Sequence, residues 1–543
     1  MPFFAAAFAL GLITACGFAP LSLWPLTLIG FAGLMWLVRR APTLRRALAI
    51  GWWFGLGHFT LGLNWIATAF YYQDAMPHWL GWIAVLLLSL YLAVFPAAAA
   101  GLGWRWGLLP PLPQAGEGRG EGANGRPGAT SQKEEEGAHP TLSRRRERAL
   151  PFVLIFAAAW IITEWLRATL FTGFAWNPLA VVFIEPRLAG AASWIGTYGL
   201  SGMVMLAAGS IFLLGNRLYR SAALFAALVL LTALPGLVFS FANDVVRFSA
   251  PPWTKWPKGH RIRVVQPNIG QQDKWREGFE QRNFAILANL TGQPTAEPRI
   301  VLWPEAAIPD YLEEEAWART RIARLLGPKD ILLTGGVALE YDRAGKLVAA
   351  RNSLFGLDAQ GRLLGRYDKA HLVPYGEYLP MRPILSAIGL SRLAPGDLDF
   401  WPGPGPHSFA LPGFGKVGVQ ICYEIIFSGQ VIDAKNRPDF LFNPSNDAWF
   451  GAWGPPQHLA QARLRAIEEG MSIVRSTPTG ISAVIGPDGS LIASLPWRTP
   501  GAIDAHLPIA APPTLFARLG NLLPALFAAL LIAIAIASRR KPV

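Results

Sequence analysis

Lys416-Val417-Gly418-Val419-Gln420-Ile421-Cys422-Tyr423-Glu424-Ile425-Ile426 is the stretch on which the reading of this chain turns. Val417, Val419 and Ile421 recur with the period of a half-buried strand, and that strand delivers Cys422 to its end. If the strand runs on, Glu424 shares a face with the thiol. A strand-end elbow exposes a nucleophile; the competing reading is a small buried core thiol. Residues far from this strand decide between the two.

Of 543 residues, 52% are hydrophobic, and the mean hydropathy is +0.31. That is too apolar for an ordinary soluble protein and points to a membrane protein. The formal charge of +13 does not imply nucleic acid. The basic residues cluster beside apolar segments, where they orient a chain in a bilayer. Two cysteines, Cys16 and Cys422, offer neither a disulfide framework nor metal-ligand spacing, and the eight histidines are scattered. No metal or cofactor is expected.

Apolar segments at residues 3–19, 21–38, 47–70, 79–103, 150–170, 189–214, 221–242 and 514–537 read as about eight transmembrane helices. Leu12 to Gly17 has the look of a lipoprotein signal, but no Lys or Arg precedes it and a second apolar segment follows at once. Arg39, Arg40, Arg45, Arg46, Arg144 to Arg148, Arg217, Arg220 and Arg539 to Lys541 fall on alternate connections, whereas Tyr71 to Pro77 carries only Asp74. The positive-inside rule then puts both termini in the cytoplasm and the long segment before the last span outside, the periplasm of a two-membrane bacterium. Residues 109–149, rich in Gly, Pro and charge, read as a disordered cytoplasmic insert. The domains expected are 1–242, membrane; 258–510, soluble; and 514–537, a closing span.

Within 258–510, short β-rich runs (262–265, 300–303, 331–335, 353–357, 417–421, 440–443, 482–485) alternate with helical stretches at 276–290, 313–326 and 456–470, a layered α/β pattern. Three motifs close such runs: Trp303-Pro304-Glu305; Tyr367-Asp368-Lys369, with Gly376-Glu377 close behind; and Cys422-Tyr423-Glu424. A thiol, a carboxylate base and an ammonium are what covalent acyl transfer needs: one attacks, one takes the proton, one steadies the oxyanion. Singly, Glu305 also reads as a helix cap, Lys369 as a surface residue and Glu377 as part of a turn.

Together and in this order they resemble the Glu, Lys and Cys motifs of the nitrilase, or carbon-nitrogen hydrolase, superfamily, whose fold is an α-β-β-α sandwich. With membrane spans on both sides, the resemblance narrows to its apolipoprotein N-acyltransferase family. Phe18-Ala19-Pro20, Asn64-Trp65-Ile66, Glu164-Trp165-Leu166-Arg167, Phe171-Thr172-Gly173-Phe174, Trp176-Asn177-Pro178, Gln266-Pro267-Asn268-Ile269 with Lys274-Trp275, His371 to Glu377, and Ser445 to Gly451 all look like that family's signatures. The resemblance covers nearly the whole chain except the insert. It implies Cys422 as nucleophile, Glu305 as base and Lys369 as oxyanion cation. It places Glu377 and Glu424 around the pocket, where like charge near Glu305 raises a carboxylate pKa. Trp275, Tyr423, Asn446, Trp449 and Phe450 are implied as substrate-binding residues, with ordinary packing as the alternative for the aromatics. Glu164 and Arg167, spaced i and i+3 near a span end, are expected to pair at the outer membrane interface rather than touch substrate.

The implied reaction is ping-pong. Cys422 takes the sn-1 acyl chain of a phospholipid, usually phosphatidylethanolamine, and passes it to the α-amine of an S-diacylglyceryl cysteine at the N-terminus of an apolipoprotein. Membrane lipids are the expected surroundings and a monomer suffices. An anchored amidase acting on a small soluble amide is the enzymatic alternative, but it gives no reason for eight spans. A transporter or scaffold with a degenerate domain has no need of Glu305, Lys369 and Cys422 together.

Overall fold

A computed structural model describes residues 2–73, 76–108, 148–231, 258–274, 276–387, 389, 391–393 and 399–539. Most of the insert (109–147), the second half of the seventh apolar segment (232–242), Asp74 and Trp275 lie outside the described residues.

The helices that matter here are Pro2–Ala15 (α1), Trp24–Arg39 (α2), Leu44–Gly62 (α3), Leu80–Gly107 (α4), Ala149–Thr169 (α5), Ala192–Gly215 (α6), Tyr219–Leu231 (α7), Glu280–Thr291 (α8), Ala316–Ala323 (α9), Gly454–Glu469 (α10) and Leu522–Ser538 (α11). The first seven and α11 form a bundle. Small residues let its helices touch: a Cβ on Gly11 would stand 2.1 Å from Phe54 O, and one on Gly57 2.2 Å from Phe8 O, so α1 and α3 meet backbone to backbone. Among the described residues, α4, α5 and the helical stretch ending in α6 are long and apolar enough to cross a membrane, while α1, α2, α7 and α11 are apolar but shorter. The third segment is helical only to Gly62, because the chain turns at Leu63 and resumes at Ile66–Ala69. The outer faces are apolar. Trp82, Leu86 and Leu87 on α4 and Leu522, Leu526 and Leu530 on α11 stand exposed, a surface suited to hydrocarbon rather than water.

The α/β half contains two six-stranded sheets. The first has the order β12-β1-β2-β3-β4-β5 and the second β11-β10-β9-β8-β7-β6, where β1 to β12 are Lys258–Gln266, Arg299–Leu302, Ile331–Tyr341, Leu347–Asp358, Leu363–Asp368, Ser408–Leu411, Gly415–Val419, Phe440–Pro444, Ile473–Ser476, Ala483–Ile485, Leu491–Ser494 and Gly501–Pro508. The sheets bury their inner faces on each other through Val264, Ile300, Leu302 and Leu333 from one and Val417, Val419, Phe440, Phe442 and Val474 from the other. The outer face of the first sheet lies under α8 and α9, through Leu287, Ala318 and Ile322. The outer face of the second is covered by α10. The result is the four-layer sandwich that the resemblance implied.

Four strands, β6, β9, β11 and β12, were not read from the sequence, and β5 was read only as the strand that Lys369 follows. Their short or polar sequences give little period-2 signal, and they gain strand geometry from the ladder beside them. Helix α10 was read nearly at its full length, but not its burial. One side packs on the second sheet and the other on the bundle, so even Gln457, His458, Gln461, Arg465 and Glu468 are buried. Those polar groups fasten the two halves. Thr197 donates its N–H and its hydroxyl to Glu468 Oε1 at 2.6 and 2.7 Å, and Trp176 Nε1 donates to Gln457 Oε1 at 2.7 Å.

Candidate active site

Glu305, Lys369 and Cys422 follow β2, β5 and β7, and the sandwich brings those strand ends together. Strand β7 stops at Val419. Gln420 N makes a last bond to Phe442 O at 2.9 Å, and the chain then turns sharply. Cys422 opens a 3₁₀ turn, Cys422–Ile426, with φ of 53°, a left-handed conformation that a non-glycine residue adopts only when its surroundings impose it. His458 Nε2, 3.0 Å from Cys422 O, helps impose it. Beneath lies a buried cluster in which Arg475 Nη2 donates to Asp447 Oδ2 at 2.5 Å and His458 Nδ1 sits 2.9 Å from Asp447 Oδ1. Burial alone would raise the Asp447 pKa, but Arg475 and then His458 bring it below the usual range, so the acid stays ionised.

The expectation that Cys422 and Glu424 share a strand face is corrected by this turn. Glu424 folds back instead: Oε2 accepts from Ile421 N at 2.7 Å, while Oε1 accepts from Ala370 N at 2.8 Å, His371 N at 3.1 Å and the Tyr367 hydroxyl at 2.9 Å. One carboxyl thereby ties the cysteine elbow to the Lys369 loop. Its pKa rises to about 7 through burial, not through a neighbouring carboxylate as the resemblance suggested, and the backbone donors only moderate that rise.

Lys369 and Glu305 are buried together with Glu377. Lys369 Nζ donates to Glu377 Oε1 at 2.9 Å and lies 3.5 Å from Glu305 Oε1. Asn352 Nδ2 bridges the two acids, at 2.7 Å from Glu305 Oε1 and 2.8 Å from Glu377 Oε1. Burial works against the ammonium, but Glu377 and then Glu305 outweigh it and hold Lys369 well above its usual pKa, permanently charged. Glu305 Oε2 is buried with no hydrogen-bond partner among the described residues, an acceptor open to a proton. The Cys422 thiol is pushed well up by burial and further by Glu305, with Lys369 and the Asn446 N–H opposing. At rest it is a thiol that needs a base. Cys422, Asp447 and His458 have ligand-type atoms within 4.8 Å of one another. Arg475 already compensates Asp447 there, so the set fits a buried charge pair better than a cation.

The implied substrate-binding residues divide. Tyr423 donates to Gly173 O at 3.2 Å, and Phe450 packs on Trp65 and Trp176 with centroids at 4.6 and 5.5 Å, so both line the seam with the bundle. Trp449 meets Tyr72 edge-on at 5.9 Å, and Asn446 holds Gln271 Oε1 at 2.8 Å. Trp275 lies outside the described residues. Glu164 and Arg167 pair at 3.9 Å, but not at an exposed interface: both are 4% exposed. Arg167 donates to Trp176 O at 2.8 Å and Glu164 accepts from Leu179 N at 2.8 Å, bracing the loop below Tyr423. Asn352, Lys274 and Arg475 escaped the sequence reading as site residues. Lys274 lay inside a quoted signature; Asn352 and Arg475 carried no local signal.

A Cys, Glu and Lys centre at the strand ends of a four-layer sandwich defines a carbon-nitrogen hydrolase type of domain, here packed on an apolar helical bundle. Residues 261–511 match the family model "Carbon-nitrogen hydrolase", and residues 10–118 and 137–210 match "Apolipoprotein N-acyltransferase N-terminal domain". The apolipoprotein N-acyltransferase of Bradyrhizobium diazoefficiens is 34% identical over 97% of this chain and 94% of its own, and that of Rhodopseudomonas palustris 33% identical over 98% and 94%. Among solved structures, the Nit3 protein of Saccharomyces cerevisiae, a member of branch 10 of the nitrilase superfamily, aligns with TM-score 0.33 and 20% identity, covering 47% of this chain and 91% of that one. The chain belongs to the apolipoprotein N-acyltransferase family.

Proposed function

We propose that this protein N-acylates the S-diacylglyceryl cysteine at the N-terminus of apolipoproteins, using the sn-1 chain of a phospholipid and a thioester on Cys422. The observation that carries the reading is the left-handed elbow presenting Cys422 to Glu305 and Lys369 inside a domain fastened to an apolar bundle. Glu305 Oε2 takes the thiol proton as sulfur attacks the ester carbonyl, and the Lys369 ammonium stabilises the oxyanion. Collapse breaks the ester C–O bond, and the proton passes from Glu305 to the departing glycerol oxygen, giving a lysophospholipid. In the second half the acceptor amine attacks the thioester and Glu305 takes its proton. The C–S bond then breaks and the thiolate is reprotonated. The thiolate is the better leaving group, so this intermediate favours amide formation.

We place the protein in a bacterial inner membrane as a multi-pass protein, with the α/β half in the periplasm and both termini in the cytoplasm. The basic residues support that orientation. Arg39 donates to Asn216 Oδ1 at 2.7 Å and Arg148 to Leu108 O at 3.2 Å, so the basic ends of α2, α4, α5 and α6 lie away from the end that holds α10. Both lipid substrates would then meet Cys422 at the headgroup level. Lifting several buried methylenes into water would cost about 0.8 kcal/mol each.

The test is intact mass spectrometry of the full chain and of Cys422→Ala after incubation with phosphatidylethanolamine. An added fatty-acyl mass, absent from the variant and discharged by a diacylglyceryl lipopeptide, is the expected result. Discharge by water alone would support the anchored amidase instead. Lipopeptide acylation without any adduct would remove the thioester.

A further inference from the structure

Glu305 sits in a tight turn. Gly335 N donates to Pro304 O at 3.2 Å and Ala307 N to Gly335 O at 3.0 Å, while Ala306 between them has φ of 46°. A left-handed alanine is strained, and it directly follows Glu305 in this turn. The Glu305 carbonyl accepts from Lys274 Nζ at 2.8 Å. Lys274 stands at the end of the short helix Gln271–Lys274, on the wall of a narrow open cleft that Glu305 also lines.

Charge explains why a second lysine is needed there. Around the thiol, Asp447 is paired with Arg475, and Glu305 and Glu377 share the Lys369 ammonium, so two buried carboxylates meet one lysine there. Forming a thiolate beside those carboxylates is unfavourable, and burial has already pushed Cys422 up. The Lys274 ammonium, held on the Glu305 backbone carbonyl, adds positive charge beside that carboxylate and the thiol.

We propose that Lys274 is a positioning residue of the acyl transfer: held on the Glu305 carbonyl, its ammonium fixes the strained turn that aims the base and supplies the positive charge that lets Cys422 ionise. The inference rests on the function proposed above, with Glu305 as base and Cys422 as nucleophile. Unlike Lys369, this lysine titrates in the working range. Burial lowers it to about 8 against the pull of Glu305 and Cys422. Glu280 at the start of α8 and Arg321 on α9 are the other charged groups that border the cleft.

The test uses the full chain in detergent on a Cys16→Ser background, which leaves Cys422 as the single thiol. Alkylation of Cys422 by iodoacetamide is followed from acid to alkaline pH for that background, for Lys274→Arg and for Lys274→Met, with acylation by phosphatidylethanolamine measured in parallel. A guanidinium keeps its charge, so the Arg variant should hold its reactivity near neutral pH and lose the inflection near pH 8. The Met variant should be slowed about tenfold or more at neutral pH, as expected when an opposite charge beside the thiol is removed. Acylation by the phospholipid should slow in step. Superimposable profiles for all three, or a Met variant alkylated as fast as the background, would overturn the proposal. Because alkylation needs no lipid, the expected order of alkylation rates with no phospholipid adduct on the background would sink the proposed acyl transfer and leave the role of Lys274 in thiol ionisation standing.

Discussion

Replacing Glu424 by Gln keeps the shape of the side chain while removing its charge and half its acceptor capacity. In the structure Oε1 receives three donors, from Ala370, His371 and Tyr367, and Oε2 receives the Ile421 N–H. The amide oxygen takes the crowded side, so its NH₂ meets the Ile421 N–H, donor against donor. An orphaned buried N–H costs about 1–3 kcal/mol. Spent on the elbow, the same energy slows Cys422 acylation by roughly 5- to 150-fold. The effect also depends on pH. The folded-state pKa of about 7 lies above the ordinary 4.5, so the fold favours the neutral acid: the favourable contribution is full below pH 4.5 and is lost as pH rises through 7. That loss is roughly 3 kcal/mol for the wild type, whereas Gln has no such slope. Thermal unfolding in detergent at pH 5 and pH 8, with single-turnover acylation read by mass spectrometry, checks both parts. The variant should be clearly less stable at pH 5, and the gap should close or reverse at pH 8. A gap independent of pH, or acylation at the wild-type rate, would refute the account of Glu424 as a buried tie.

Lys369→Met leaves Glu305 and Glu377 buried without their shared cation, and acylation should fall by about 10³-fold or more, measured as acyl-enzyme formation. Arg475→Met strands the fully buried Asp447 carboxylate and should cost about 3–5 kcal/mol in chemical or thermal unfolding. Gly335→Ala puts a Cβ 2.4 Å from Ala306 N, backbone that has nowhere to go, so the Glu305 turn must move. Acylation should fall at least about tenfold and stability by about 1–3 kcal/mol.

The candidate site residues were legible locally. The alternating apolar run before Cys422, the apolar strand closed by Pro304-Glu305 and the tyrosine two residues before Lys369 are each contained within a few residues, where strand period and turn residues act. The apolar segments were legible for the same reason: a bilayer selects composition over a fixed length. Pairing between distant charges was not. The Asn352 bridge to Glu305 spans 47 positions, and no periodicity marks a buried amide that serves two acids. Glu424 looked like a second carboxylate in the pocket until the backbone turned at Cys422 and aimed it at four donors elsewhere. Lys274 and Arg475 are ordinary basic residues in sequence. Their burial beside Glu305 and beneath the elbow gives each charge its effect, because desolvation is a property of the packed volume, not of the chain. The sequence by itself singled out a thiol, a carboxylate and an ammonium at strand ends; the tertiary structure decided which charges stand beside them, because burial and pairing are set by packing.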